Sequence, residues 1–222
     1  MIFRDTEGSL EFVGNFEALY QSEGDPWGQS GESQCEMSTY YNWSRRKLNE
    51  ILLREVLQDD NFSIEGGKVL EIGCGLGYTT SELCALFPDL RIVGCDVSES
   101  AVFRARELFP DVSFLCSDIL ESPICSEANV LVVSNMIWYV LHEFDKFMEN
   151  VVLSVDRSNN KIVIYNSIFK TNQRYGSDKV ESLMDVYNLF SNVYSLRSMN
   201  FYKFNDRNIK YDFEALVMSV DG

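Results

Sequence analysis

Apolar residues in the middle of the chain follow two alternating patterns. Short β-branched runs occur at Lys68–Ile72, Arg91–Cys95, Val112–Cys116, Val130–Val133 and Lys161–Tyr165, each bounded by turn or helix signals. Between them Tyr78–Phe87, Ser98–Phe109 and Glu143–Val152 carry apolar positions at helical spacing, the last through Phe144, Phe147, Met148 and Val151. Pro88 and Pro110 follow the first two, where a residue without an amide hydrogen stops a helix. This alternation, from about residue 67 onward, predicts an α/β fold whose parallel sheet is covered by helices on both faces. Farther on, Val180, Leu183, Met184 and Tyr187 predict one more helix. Ile209, Tyr211 and Phe213 then alternate with Asn208, Lys210 and Asp212 after the turn residues Asn205-Asp206, which predicts a closing antiparallel hairpin. Residues 1–66 read as an N-terminal helical cap: a helix over Phe12–Tyr20, a glycine-containing loop through Asp25-Pro26-Trp27-Gly28, and a long helix around Tyr41–Leu57. Residues 67–222 read as one compact unit without repeats or a linker.

Charge narrows the choice of partners. The 222 residues hold 19 Lys+Arg against 34 Asp+Glu, a net charge of −15, so a polyanion meets repulsion before any local contact forms. Neither nucleic acid nor a membrane is expected as a partner unless a local basic groove overrides that field. Cys35, Cys74, Cys84, Cys95, Cys116 and Cys125 form no CxxC pair, and His142 is the only histidine. Reduced core thiols in a cytoplasmic protein, with no metal site, are therefore expected. The start, Met1-Ile2-Phe3-Arg4-Asp5, turns to charge at once, so no signal peptide is expected. The longest apolar stretch, Val130–Leu141, is interrupted by Ser134 and Asn135 and is too short to span a bilayer.

The densest chemistry lies in Val69-Leu70-Glu71-Ile72-Gly73-Cys74-Gly75-Leu76-Gly77-Tyr78, a predicted strand running through GxGxG into a helix. Glycines let the backbone turn sharply and approach a ligand closely, and the helix N-terminus offers amides. A dinucleotide fingerprint, GxGxxG/A, would place Tyr78 where a small residue is needed for close packing of strand and helix. Asp96 ends the second strand and suits both hydroxyls of a ribose. Asp118, just past the third strand, suits the exocyclic amine of adenine. All three features fall at the carboxyl ends of adjacent strands, where open α/β sheets bind ligands. A plain tight turn and two helix caps are the alternative roles for these glycines and aspartates.

With these motifs the chain resembles the class I S-adenosylmethionine-dependent methyltransferases, whose first motif is an acidic residue followed by GxGxG. The resemblance covers roughly residues 65–220. It implies a Rossmann-like, seven-stranded, mainly parallel sheet with a C-terminal antiparallel hairpin and helices on both faces, beneath the N-terminal cap. It implies that Glu71, Gly73, Gly75 and Gly77 line the methionine end of S-adenosylmethionine, that Asp96 holds the ribose with Val97 on the adenine, and that Asp118 and Ile119 hold the adenine edge. Ser134 joins this cofactor-binding set, and Arg46 and Lys47 suit the cofactor carboxylate or, alternatively, a solvated helix face. A narrower resemblance, through Asp25-Pro26-Trp27, Arg46-Lys47 and Ser134-Asn135-Met136-Ile137-Trp138-Tyr139, is to the nodulation-factor type N-methyltransferases acting on amino sugars, with Asn135 standing where that group has an acidic residue.

Trp27, Tyr40, Tyr41, Trp138 and Tyr139 suit an aromatic wall around a sulfonium and its acceptor, or a plain junction of cap and core. Of these, Trp27, Tyr41 and Trp138, with Asn135, are candidate substrate contacts. His142 and Tyr139 are the candidate catalytic residues, His142 because histidine is the side chain best suited to proton transfer near neutral pH. The expected activity is methyl transfer to an amine or hydroxyl of a small molecule, with a sugar or amino sugar among the acceptors, by a monomer or homodimer that releases S-adenosylhomocysteine. Methylation of nucleic acid is the second reading; the charge opposes it, and Asn135-Met136-Ile137-Trp138 lacks the Asn/Asp-Pro-Pro-aromatic motif. A non-catalytic partner subunit would carry a degenerate glycine loop, and this loop is intact.

Overall fold

In the computed structural model of this chain the described residues are 2–6, 9–32, 38, 41–46, 48–50, 67–124, 128–155, 161–169, 175–191, 195–204 and 213–221. Seven strands form one sheet: β3 (Lys68–Ile72), β4 (Arg91–Asp96), β5 (Ser113–Cys116), β6 (Val130–Ser134), β7 (Lys161–Phe169), β8 (Ser195–Phe204) and β9 (Phe213–Asp221), in the order β5-β4-β3-β6-β7-β9-β8. The first five pair in parallel, whereas β9 lies antiparallel between β7 and β8. Strand periodicity sorts the core onto two faces. Val69, Val130, Val132 and Val163 pack with Leu48, Leu83 and Phe87 on one face. On the other, Leu70, Ile72, Leu131, Val133, Ile162 and Ile164 pack with Phe147, Val151, Val186 and Phe190. Burial on both faces is why these strands are almost continuously apolar rather than alternating.

Helix α2 (Tyr78–Leu86) follows β3, α3 (Glu99–Leu108) follows β4, a helical turn α4 (Ile137–Val140) follows β6, and α5 (Phe144–Ser154) and α6 (Leu183–Ser191) cover the second face. The strand predicted at Lys68–Ile72 keeps its bounds, and other boundaries move by a few residues for local reasons. Ser98 lies outside α3 as its N-cap, its Oγ accepting from Ala101 N at 3.1 Å. Val112 precedes its strand, in a turn where its amide donates to Phe109 O. His142 falls in a 3-10 turn over Leu141–Glu143, so the helix begins at Phe144. Val180 precedes α6. Ile209 and Tyr211, on which the closing hairpin was predicted, lie outside the described residues, as do Cys35, Cys125, Tyr40 and Lys47.

The N-terminal segment differs from the predicted helical cap. It opens with a β-hairpin, β1 (Phe3–Thr6) antiparallel to β2 (Ser9–Phe12), followed by helix α1 (Phe16–Glu23). Phe12 therefore ends a strand instead of starting a helix. Gly14, at φ 70°, turns the chain, and Asn15 caps α1 by accepting from Ala18 N at 3.0 Å. Residues 41–46 and 48–50 are helical, within the span predicted from Tyr41.

Candidate active site

The strand order places β4 and β5 on one side of β3, and β6 and β7 on the other. Such a reversal opens a crevice at the carboxyl ends of the strands. A cavity of about 540 Å³ lies there, lined by the residues that follow β3, β4, β5 and β6 and closed by the N-terminal segment.

The glycine loop reaches the cavity at Gly73 and backs it beyond that residue. Gly73, Gly75 and Gly77 all have positive φ, at 75°, 54° and 79°. A Cβ at Gly75 would stand 2.5 Å from the hydroxyl of Tyr20 and from Oε1 of Gln29, so the loop and the N-terminal segment touch through this missing side chain. The loop amides are all engaged within the protein. Gly73 N and Cys74 N donate to Cys95 O, Gly77 N donates to Cys74 O, Gly75 N donates to Asp96 Oδ2 at 2.8 Å, and Leu76 N donates to Gln29 Oε1 at 2.7 Å. A pyrophosphate-binding loop keeps such amides for the ligand. This one suits a ligand that carries a nucleoside without a phosphate chain.

Asp96 is 9% exposed and borders the cavity; its Oδ1 also accepts from Ser98 N at 3.0 Å. Burial raises its pKa, and backbone amides oppose the shift. The two amides hold both oxygens at the end of β4, each with a lone pair left for a further donor. Asp118 Oδ1 accepts from Leu120 N at 2.8 Å, so this carboxylate does close a local turn, while the residue still lines the cavity with Val97 and Ile119. Glu71 is placed differently. It shares a strand face with Val69 and is buried under α2, accepting from Thr80 Oγ1 at 2.5 Å, and it does not line the cavity. Burial lifts its pKa to about 7, against the opposing hydrogen bond from Thr80.

The other end of the cavity is aromatic. The Tyr139 ring meets Phe16 edge-on at 5.2 Å, Trp27 at 5.8 Å, and Phe3 and Phe12 at 6.3 and 6.5 Å between centroids. The His142 imidazole lies 4.7 Å from the Phe12 ring, and its Nε2 is 3.6 Å from Glu143 Oε1. Trp138, Asn135 and Ser134 complete this wall from the end of β6. Asn135 has φ 53°, a left-handed conformation that asparagine tolerates better than most residues, so the backbone turns abruptly into the cavity here.

Of the residues singled out from sequence, the cavity brings together Gly73, Asp96, Val97, Asp118, Ile119, Ser134, Asn135, Trp27, Tyr41, Trp138, Tyr139 and His142. Gly75, Gly77 and Glu71 shape it from behind, and Arg46 is exposed on the helical run and does not reach it. Sequence reasoning missed Phe12, Phe16, Tyr20, Gln29, Leu120 and Met136. The spacing of Phe3, Phe12 and Phe16 was an available signal, whereas nothing local marks Gln29. Among the described residues no group of His, Cys, Asp and Glu is arranged to hold a metal, and no helix is long and apolar enough to cross a membrane.

The chain is similar to known methyltransferases in sequence and in fold. Residues 69–160 match the family model described as a methyltransferase domain. The malonyl-[acyl-carrier protein] O-methyltransferase of Bacillus cereus is 30% identical over 121 residues, 53% of this chain and 44% of that protein. The trans-aconitate 2-methyltransferase of Variovorax paradoxus is 33% identical over 106 residues, 47% of this chain and 39% of its own. The chain thus spans less than half the length of these curated relatives. Among solved structures, the N-methyltransferase NodS of Bradyrhizobium japonicum, in complex with S-adenosyl-L-homocysteine, superposes with a TM-score of 0.67 at 16% identity, covering 92% of this chain and 95% of its own. Magnesium protoporphyrin IX methyltransferase from Synechocystis gives 0.62 at 14% identity, covering 90% and 94%. Residues 69–160 thus match a methyltransferase domain, and the chain has the Rossmann-like fold of the S-adenosylmethionine-dependent methyltransferases it superposes on. The solved neighbours hold S-adenosyl-L-homocysteine or S-adenosylmethionine, which supports S-adenosylmethionine as the cofactor, and loop amides engaged within the protein beside the buried Asp96 fit such a phosphate-free ligand.

Proposed function

We propose that this chain transfers a methyl group from S-adenosylmethionine to an amine or hydroxyl of a small, uncharged or cationic acceptor, with a sugar or amino sugar as the leading class. The cofactor supplies a methyl group on a good leaving group, so alignment and exclusion of water do much of the work. In this reading Asp96 takes the ribose hydroxyls, Asp118 and Ile119 the adenine edge, Val97 an adenine face, and Gly73 and Ser134 the methionine end. Trp27, Trp138 and Tyr139 present ring faces, each worth roughly 0.5–2 kcal/mol toward a cation. Asn135 and Tyr41 border the acceptor, and His142, at the mouth of the cavity, accepts the proton of a hydroxyl acceptor. A neutral amine needs proton removal only after transfer. Residues 67–222 supply the catalytic unit and the N-terminal segment closes it.

One observation carries the acceptor class: the charge of the cavity. Its described lining holds Asp96, Asp118, Glu121 and Glu143 against Lys146 and His142, and Lys146 Nζ already sits 3.4 Å from Glu143 Oε2. Carboxylate acceptors, such as the names of the two curated relatives suggest, would meet net repulsion there. Calorimetric titration with S-adenosylmethionine and S-adenosylhomocysteine is the first test. Saturable binding, weakened more than tenfold (about 1.4 kcal/mol) in Asp96→Ala, is expected because the ribose loses a charge-assisted contact. Formation of S-adenosylhomocysteine is then followed with amino sugars, polyols and dicarboxylates. Turnover confined to dicarboxylates would reject the acceptor class, and absent cofactor binding would reject the enzyme reading.

A further inference from the structure

The side chain of Gln29 is 1% exposed although it comes from a loop of the N-terminal segment. Its position is built in two stages. The Asp25 carboxylate accepts from Gln29 N at 2.8 Å and from Ser30 N at 3.0 Å, which closes the loop on itself around Gly28, whose φ is 61°. The carboxamide then reaches across to the glycine loop. Oε1 accepts from Leu76 N at 2.7 Å, and Nε2 donates to Cys74 O at 3.3 Å and to the Tyr41 hydroxyl at 2.5 Å. An amide that donates and accepts in parallel to two residues of one loop reads that loop's backbone much as a neighbouring strand would. Tyr20, buried beside it, makes the second contact at Gly75. The same segment is tied to the next cofactor-side turn by Glu17, which accepts from Ser98 Oγ at 2.7 Å, Ser100 N at 3.1 Å and Ser100 Oγ at 2.5 Å.

We infer that Gln29 is a positioning residue that couples docking of the N-terminal segment to the shape of the cofactor loop, so that bound cofactor retains the segment and the docked segment retains the cofactor. This rests on the methyltransferase reading above. Gln29 holds Leu76 N, 47 residues along the chain, and Cys74 O in the register that leaves Gly75 N on Asp96, and thus sets the ribose carboxylate through the loop. Thermodynamic reciprocity then applies: whatever factor the docked segment adds to cofactor affinity, the cofactor adds to docking of the segment.

The test pairs Gln29→Ala and Gln29→Glu with the unaltered chain. Glutamate keeps the acceptor for Leu76 N but loses the donor to Cys74 O, so it measures half of the clamp. S-adenosylhomocysteine dissociation is followed by stopped flow, and amide exchange across residues 9–32 is measured with and without that ligand. In the unaltered chain the ligand is expected to slow exchange in this segment at least fivefold. In Gln29→Ala that protection is lost and dissociation is at least tenfold faster, with Gln29→Glu in between. A merely structural role would lower thermal stability without breaking the link between ligand and exchange. Ligand-induced protection and dissociation unchanged in Gln29→Ala would overturn the inference. Failure of the unaltered chain to bind S-adenosylhomocysteine at all would instead overturn the reading of function beneath it.

Discussion

Two glutamates show how placement alone sets opposite behaviour for one side chain. Glu71, sealed beneath α2, has its pKa raised from 4.5 to about 7, so the native state holds a proton that the unfolded chain has released. Its contribution is complete below about pH 4.5 and is lost as pH rises through 7, which removes on the order of 3 kcal/mol. Asp96, raised by burial, adds to the same slope above its ordinary range. Glu17 runs the other way: hydrogen bonds from Ser100 and Ser98 lower its pKa to about 2, so its contribution is present above 4.5 and fades as pH falls toward 2. The chain should therefore be most stable in mildly acidic solution. Glu71→Gln is expected to flatten the fall in stability between pH 5 and pH 8, read from urea denaturation at both values. An unaltered slope would show that the Glu71 carboxyl is ionised in the native protein.

At the scale of elements, the turn from β3 into α2 is decided by space as much as by dihedral angle. Gly77 has φ 79°, and a Cβ there would lie 2.5 Å from the Phe114 ring and 3.2 Å from Ala105. Both costs fall on any other residue: roughly 1–2 kcal/mol for the left-handed backbone and 1–3 kcal/mol for overpacking. Gly77→Ala should lower stability by about 2–5 kcal/mol in denaturant titration. Ala substitution of Leu86, 41% exposed on the same helix, is expected to change it by less than about 1 kcal/mol. Equal effects at the two positions would mean that Phe114 moves aside freely. The packing also explains why Tyr78 is tolerated where a dinucleotide fold needs a small residue. Its ring turns outward onto Phe109 at 5.1 Å, and Gly77, one position earlier, makes the close approach.

For the whole molecule, the cavity exists because the N-terminal segment crosses the ends of the strands and is fastened there at two places, Gln29 on the glycine loop and Glu17 on the start of α3. Glu17→Ala removes the second fastening and the compensation of the α3 N-terminus. Faster proteolysis within residues 9–32 is the expected result, followed by limited digestion, with S-adenosylhomocysteine slowing it again. Cleavage no faster than in the unaltered chain would show that the Phe12, Phe16 and Tyr139 packing holds the segment without Glu17. Long-range charge acts at the same scale. A net charge of −15 around a cavity with acidic lining repels anions before any specific contact forms, which supports the proposed neutral or cationic acceptors.

What the sequence determined by itself lies where short-range pattern and covalent geometry leave little choice. The central parallel strands β3, β4, β6 and β7 were legible because burial on both faces demands unbroken apolar runs, and the glycine loop because three left-handed positions in five residues cost least with glycine. Asp96 and Asp118 were legible because strand ends in such a sheet converge on one crevice. The N-terminal hairpin was not, since the apolar residues around Phe12 fit a helix and a strand equally well until Gly14 and Asn15 set the turn. Tertiary structure alone decided that Glu71 faces α2 rather than the cavity, that Arg46 is exposed outside its lining, and that Gln29 enters it. A polar residue in a turn has the same local pattern whether it meets water or a backbone amide 47 residues along the chain, and only packing tells the two apart.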